Sequence, residues 1–251
     1  MRQWVVVALF IITLGFVAVR PAGAVSPYPV LEERAGRFFD QKEWNQAAAV
    51  YDLMLDERPA VASTYGRAVV VNAMRGDSVA PIRLMAKALD NHVPFDSVFS
   101  RVREFSFALG HAGIYEGFLL SVRGAYPWMK RTVDSYLLKY YTFRRNGRMM
   151  DAYSGAMLAG AHDNVDFLLL RGEGYVFQGM LPEAIAAYEE VLKVAPDNYD
   201  ALLTLGNWYA MGVGADAGDG LSNRSKAVEY LGRAYALRPT PYVAVVLDKL
   251  K

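Results

Sequence analysis

The sequence predicts an all-α protein built as a superhelical solenoid of about six helix pairs, with a C-terminal capping helix. One spacing recurs: an alanine, a large side chain four residues later, and a proline eight residues after that. The matching triplets are Ala47-Tyr51-Pro59, Ala184-Tyr188-Pro196 and Ala227-Leu231-Pro239. Pro59, Pro94 and Pro127 follow one another at intervals of 35 and 33 residues. No stretch alternates apolar and polar residues between hairpin turns, so a β fold is not expected.

Each repeat is predicted as two antiparallel helices. A proline ends the second helix because it lacks the N–H that would extend it. A small residue at the helix crossing lets the two backbones approach. In chain order the predicted pairs are 28–40 with 44–57, 62–75 with 79–90, 95–110 with 112–123, 129–145 with 148–160, 164–178 with 182–194, and 198–212 with 223–237, and the capping helix is 241–250.

The best-matched stretch reads Leu202-x2-Leu205-Gly206-x2-Tyr209. With the spaced alanines, aromatics and prolines it resembles the tetratricopeptide repeat, a roughly 34-residue helix pair with the signature W-x2-L-G-x2-Y…A-x3-F…P. Leu202 stands in place of the tryptophan, and Arg171 takes a position where leucine is usual. The resemblance implies repeats that stack into a solenoid and bind a protein or peptide partner in the inner groove.

The resemblance also implies which side chains of the first helices face that groove. Repeat four can be phased in two ways; Tyr141 falls on the groove in both, and Arg144 joins it in one. The candidate partner-binding residues are Tyr141, Arg144, Asp166, Glu173, Asp200 and Asn207. This mixed set departs from the basic and asparagine clamp with which some family members hold a C-terminal carboxylate, so that specificity is not expected here.

The N-terminus has the pattern of an export signal. Arg2 precedes an apolar run from Trp4 to Val19, and Ala22-Gly23-Ala24 has the form of a signal-peptidase site. Residues 1–24 are therefore predicted to be a signal peptide, with an uncleaved membrane anchor as the alternative. The mature chain is divided into degenerate repeats at 25–163 and well-matched repeats at 164–251, which include an inserted loop at 212–222. The bacterial periplasm is the expected location.

Composition and motifs exclude several kinds of chemistry. The net charge of +1 argues against a nucleic-acid binder. The chain has no cysteine, so disulfides are excluded. The three histidines share no catalytic or metal-ligand spacing, and the glycine-rich loop at 212–220 lacks the EF-hand pattern. No cofactor and no bound metal are expected. Within residues 139–145, Tyr140 and Phe143 are predicted to be core together with Tyr136, and the cations to lie on outer faces.

These observations favour an exported, non-catalytic scaffold for protein–protein interaction in the cell envelope. The alternative is an envelope enzyme or a glycan-binding protein built on the same helical frame. No nucleic-acid partner is expected, and membrane contact is expected only through an uncleaved signal. The sequence does not indicate an oligomeric state.

Cleavage after Ala24 predicts a mature N-terminus at Val25. Terminal sequencing of the protein recovered from the envelope is expected to begin at that residue, because small residues at 22 and 24 suit the peptidase. Recovery of the intact Met1 terminus would instead establish the anchor.

Overall fold

The computed structural model describes residues 27–212 and 220–250. The predicted signal peptide and residues 213–219 of the inserted loop lie outside this part. Within it the chain is an all-α helical-repeat solenoid, without strands. Its helices are α1 (Tyr28–Asp40), α2 (Trp44–Glu57), α3 (Ala62–Met74), α4 (Ala80–Asp90), α5 (Phe95–Ala108), α6 (Ala112–Ala125), α7 (Lys130–Phe143), α8 (Gly147–Leu158), α9 (Val165–Gln178), α10 (Leu181–Val194), α11 (Tyr199–Ala210), α12 (Gly220–Leu237) and α13 (Pro241–Lys249).

Local signals place the helix ends close to where the sequence predicts them. The side chains of Asn146, Asn164 and Asn198 each accept a hydrogen bond from a backbone N–H in the first turn of α8, α9 and α11, which satisfies a donor that has no partner within the helix. Gly179 ends α9 in the left-handed conformation, with φ of 72°, where glycine has no Cβ to clash. No helix of the described residues is both long and apolar enough to cross a bilayer.

The pairs pack closely where the sequence places small residues. A Cβ added to Gly206 on α11 would lie 2.6 Å from Cγ of Leu231 on α12. A Cβ on Gly172 of α9 would lie 2.8 Å from the ring of Tyr188 on α10. Ala47 and Ala184 are completely buried. The structure confirms Gly172 and Gly206 as points of close helix contact, and it shows that Ala47 and Ala184 are core residues.

Two further close contacts were not apparent from the sequence. Gly147 on α8 and Gly174 on α9 face each other, so that a Cβ on Gly174 would lie 3.0 Å from the Gly147 carbonyl oxygen. Gly66 on α3 touches α5, where a Cβ would lie 2.5 Å from that of Arg101. None of these three glycines belongs to the alanine–aromatic–proline spacing, so the repeat pattern does not predict their contacts.

A buried carboxylate joins the third and fourth pairs. Asp134 on α7 is almost fully enclosed, and its oxygens accept hydrogen bonds from Arg123 Nε at 2.5 Å and from Lys130 Nζ at 2.9 Å. The Arg123 guanidinium, from α6, also lies 5.9 Å from the ring centre of Tyr153 on α8. Pairing with two cations compensates the cost of removing this carboxylate from water, so α6, α7 and α8 are held in one arrangement.

The crossing at Gly206 predicts opposite effects for two glycine-to-alanine changes in the same helix pair. Gly206→Ala should lower the free energy of unfolding by about 1–3 kcal/mol, because the new methyl overpacks the contact with Leu231. Gly232→Ala, on α12 with no atom within 4 Å of its added Cβ, should raise it by about 0.5–1 kcal/mol. Chemical denaturation of the purified protein measures both, and equal effects of the two changes would contradict the close contact at Gly206.

Candidate partner-binding cleft

The first helices of the central repeats form an open cleft. It has a volume of about 660 Å³ and lies between α5 and α7, with one residue of α6 at its base. Smaller depressions continue it toward α3, where Tyr136 is shared, and toward α9, where Lys139 is shared. We call the central part the aromatic–basic cleft; its residues are Ser100, Arg103, Glu104, Phe107, Tyr115, Tyr136, Lys139, Tyr140 and Phe143.

Aromatic rings form the walls of the aromatic–basic cleft. Phe143 is 69% exposed, and its ring centre lies 5.4 Å from that of Phe107 on α5. Tyr140 is buried beneath them, in an edge-to-face contact with Phe107. The Lys139 ammonium lies 5.6 Å from the ring centre of Tyr136. The cleft therefore combines an exposed apolar rim with cationic groups.

The prediction that Tyr136, Tyr140 and Phe143 are all core is correct only in part. Tyr140 is buried, Tyr136 is half-buried, and Phe143 is largely exposed at the cleft rim. Lys139 was expected on an outer face, and it lines the cleft instead. Residues 136, 140 and 143 share one helix face, and α5 covers only part of that face.

The prediction that Tyr141 is an exposed groove residue is wrong. Its side chain is 2% exposed, and its hydroxyl donates a hydrogen bond to Glu116 Oε1 on α6 at 2.5 Å. Burial, together with the hydrogen bond and charge of Glu116, raises the pKa of the Tyr141 phenol. The ring packs against those of Tyr140 and Tyr153, so α7 is rotated such that Tyr141 points into the core.

The other candidate residues lie further along the solenoid. Arg144 is exposed directly after α7. Asp166 and Asp200 are exposed in the first turns of α9 and α11. Glu173 is half-buried on α9. These four remain proposed contact residues, and none of them lines the aromatic–basic cleft.

Asn207 is engaged within the chain. Its Oδ1 accepts a hydrogen bond from the hydroxyl of Tyr242, on α13, at 3.0 Å. The last helix therefore contacts the surface of α11 that the sequence predicts to bind a partner. A ligand could contact Asn207 only next to Tyr242 or after displacing the Tyr242 hydroxyl.

Residues on α5 and α6 contribute to the cleft without having been singled out from the sequence. Arg103 and Phe107 are four residues apart and so share one face of α5. This spacing is the only sequence feature that links them. Tyr115 belongs to the weakly matched part of the chain. No group of three histidine, cysteine or acidic residues in the described ranges is arranged to hold a metal ion.

Similarity to known proteins is confined to solved structures. No protein-family model and no curated protein matches the chain. A Bacteroides ovatus protein, described provisionally as protein-binding, is 17% identical with a TM-score of 0.48, over 76% of this chain and 96% of that one. A tetratricopeptide repeat protein from Parabacteroides merdae is 12% identical with a TM-score of 0.41, over 92% and 86%. YrrB, a TPR protein described as having an unusual peptide-binding site, is 18% identical with a TM-score of 0.33, over 90% of this chain and 100% of that one.

The different environments of Tyr141 and Phe143 predict opposite costs of truncation. Tyr141→Ala should lower the free energy of unfolding by about 3–5 kcal/mol, because it removes a buried aromatic side chain. Phe143→Ala should cost at most about 1 kcal/mol, the worth of one exposed ring pair. Thermal or chemical denaturation separates the two, and a stable Tyr141→Ala variant would show that the ring is not core.

Proposed function

We propose that the protein is an exported, non-catalytic scaffold of the bacterial cell envelope that holds a segment of a partner protein in the aromatic–basic cleft. The observation that carries this proposal is Phe143, a phenylalanine left 69% exposed beside a concave surface although Tyr140, on the same helix, is buried. Exposed apolar side chains at a cleft are typical of binding sites. Aromatic residues and arginine are also the commonest sources of binding energy at protein interfaces.

The form of the surface supports a chain segment as the ligand. The cleft and its continuations touch α3, α5, α7 and α9, which lie side by side. Helical repeats use such extended concave surfaces for binding. The export part of the proposal depends on residues 1–24 and on their signal-like pattern.

Glycan binding is the second candidate, because an exposed phenylalanine can also stack on a sugar ring. The cleft has two cationic side chains, Arg103 and Lys139, whose charge a neutral sugar would leave unpaired. The experiment below distinguishes a protein from a glycan by the nature of the adduct.

Photo-crosslinking in the native envelope tests this function. A benzophenone side chain placed at Phe143 of the full-length protein should form a discrete adduct with another protein, because that position lines the cleft. Val79, between α3 and α4, is also 69% exposed but lies outside the cleft. It is the matched control and should give no such adduct.

The adducts decide between the candidates. An adduct at Phe143 alone that contains peptides of a second protein supports the scaffold. An adduct that contains no second protein and loses its added mass on treatment with glycosidases would show a glycan ligand. Equal labelling at both positions, or none at Phe143, would mean that the aromatic–basic cleft does not hold a partner.

A further inference from the structure

The aromatic–basic cleft carries more positive charge than its own carboxylates neutralise. Arg103 and Lys139 line it, and neither forms an ion pair with any residue that the structure describes. Glu104 already pairs with Arg101, at 2.6 Å. Asp96, in the first turn of α5, lines the adjoining depression and not the cleft itself, and the helix dipole there stabilises its negative charge. Two cations are thus available to an anionic ligand.

Tyr115 adds a third donor at the base of the cleft. The residue is 2% exposed, yet no side chain or carbonyl within the described ranges bonds its hydroxyl. Among the described residues, only the Tyr51 hydroxyl is both shielded from solvent and without a hydrogen bond. The Tyr115 hydroxyl also lacks a hydrogen bond, so its oxygen is in contact with solvent, and the residue lines the cleft. Burial raises the pKa of this phenol and the nearby Arg103 opposes the rise, so the group remains a donor at neutral pH.

The rim of the cleft offers a place for one large apolar side chain. Phe107 and Phe143 are inclined to each other with their ring centres 5.4 Å apart, and Phe143 gains little from burial in the free protein. A ligand side chain seated against both rings would remove this surface from water, at about 25 cal/mol per Å² of apolar area. The volume of about 660 Å³ is in the range of ordinary ligand sites.

The charge changes sign over the next two repeats. Asp166, Glu173 and Asp200 form no ion pair with any described residue. Burial raises the pKa of Tyr188 to about 12, with Glu173 and Asp200 adding to the rise, which places both carboxylates near one phenol. A negative segment would therefore be attracted over α5 and α7 and repelled over α9 and α11.

We infer that the partner segment held in the aromatic–basic cleft is acidic, with a large apolar or aromatic side chain next to its carboxylates. This inference rests on the proposed function. The apolar side chain packs against the exposed edges of Phe107 and Phe143, and the carboxylates accept hydrogen bonds from Arg103, Lys139 and Tyr115. The acidic side chains on α9 and α11 repel an acidic segment. This repulsion disfavours any placement in which the segment is shifted toward those helices, and so it fixes the register of the segment in the cleft.

Selection from a random twelve-residue peptide display library tests the inference. The target is the exported protein purified from the envelope, with Phe143→Ala as the counter-selection. Peptides that bind the former and not the latter should be enriched in aspartate and glutamate around one aromatic or branched apolar residue. Chitohexaose is assayed in parallel as a neutral glycan probe.

Charge reversal with a matched control follows the selection. Lys139→Glu should weaken binding of the enriched peptides by about tenfold or more, because an attractive contact becomes repulsive. Arg83→Glu, on an exposed face of α4, changes the net charge equally and should leave the affinity within about twofold, since that charge is distant and screened. Binding to the unchanged protein should also weaken as salt is raised.

The outcomes separate the inference from the proposed function. Neutral or basic peptides that need Phe143 would overturn the acidic segment and leave a protein-binding cleft. An equal loss of affinity in both charge variants would overturn it as well. Failure to select any peptide that depends on Phe143, or binding of chitohexaose alone, would overturn both.

Discussion

Close backbone contact between neighbouring helices is the constraint on which the rest of the solenoid depends. At Gly206, Gly172 and the facing pair Gly147 and Gly174, the space that a Cβ would need is already filled by the next helix. Helices that meet this closely bury apolar side chains on both sides of the crossing. One main core extends from α1 to α8, and two smaller clusters continue it to α12. The close glycine contacts set the spacing of α8 to α12, and side-chain packing in the main core sets the spacing of the helices around the cleft.

The same packing decides which aromatic side chains of α7 are buried and which meet solvent. Tyr141 turns inward toward Glu116 and Tyr153, and Asp134 turns inward to two cations. With these two side chains fixed, Phe143 has to lie on the other side, at the cleft rim. Leaving its ring in water costs hydrophobic stabilisation, and this cost is compensated if the ring contacts a partner. The exposed site is thus a consequence of how the buried face is held.

The helices could be predicted from the sequence because their signals are local. Pro59, Asn164 and Asn198 end or begin helices through contacts within a few residues, and the helix bounds agree closely with those expected. The rotation of α7 could not be predicted, because neighbouring residues on a helix point about 100° apart and both repeat phases place Tyr141 on the groove. The hydrogen bond from Tyr141 to Glu116, which is 25 residues away in the chain, holds α7 in the observed rotation. The cleft residues on α5 and α6 could not be predicted from the sequence either, because only the packing of distant segments brings Arg103 and Tyr115 close to α7.

The concave surface open to a partner is shorter than the solenoid. On one side the depression beside the cleft ends at Ala62, where α3 begins and packs closely on α5 through Gly66 and Arg101. On the other side Tyr242 of the last helix bonds Asn207 on α11. Between these limits lie the aromatic–basic cleft and the acidic residues of α9. On the proposed function, a partner is recognised over this short stretch, in which basic, aromatic and acidic side chains follow one another along the solenoid.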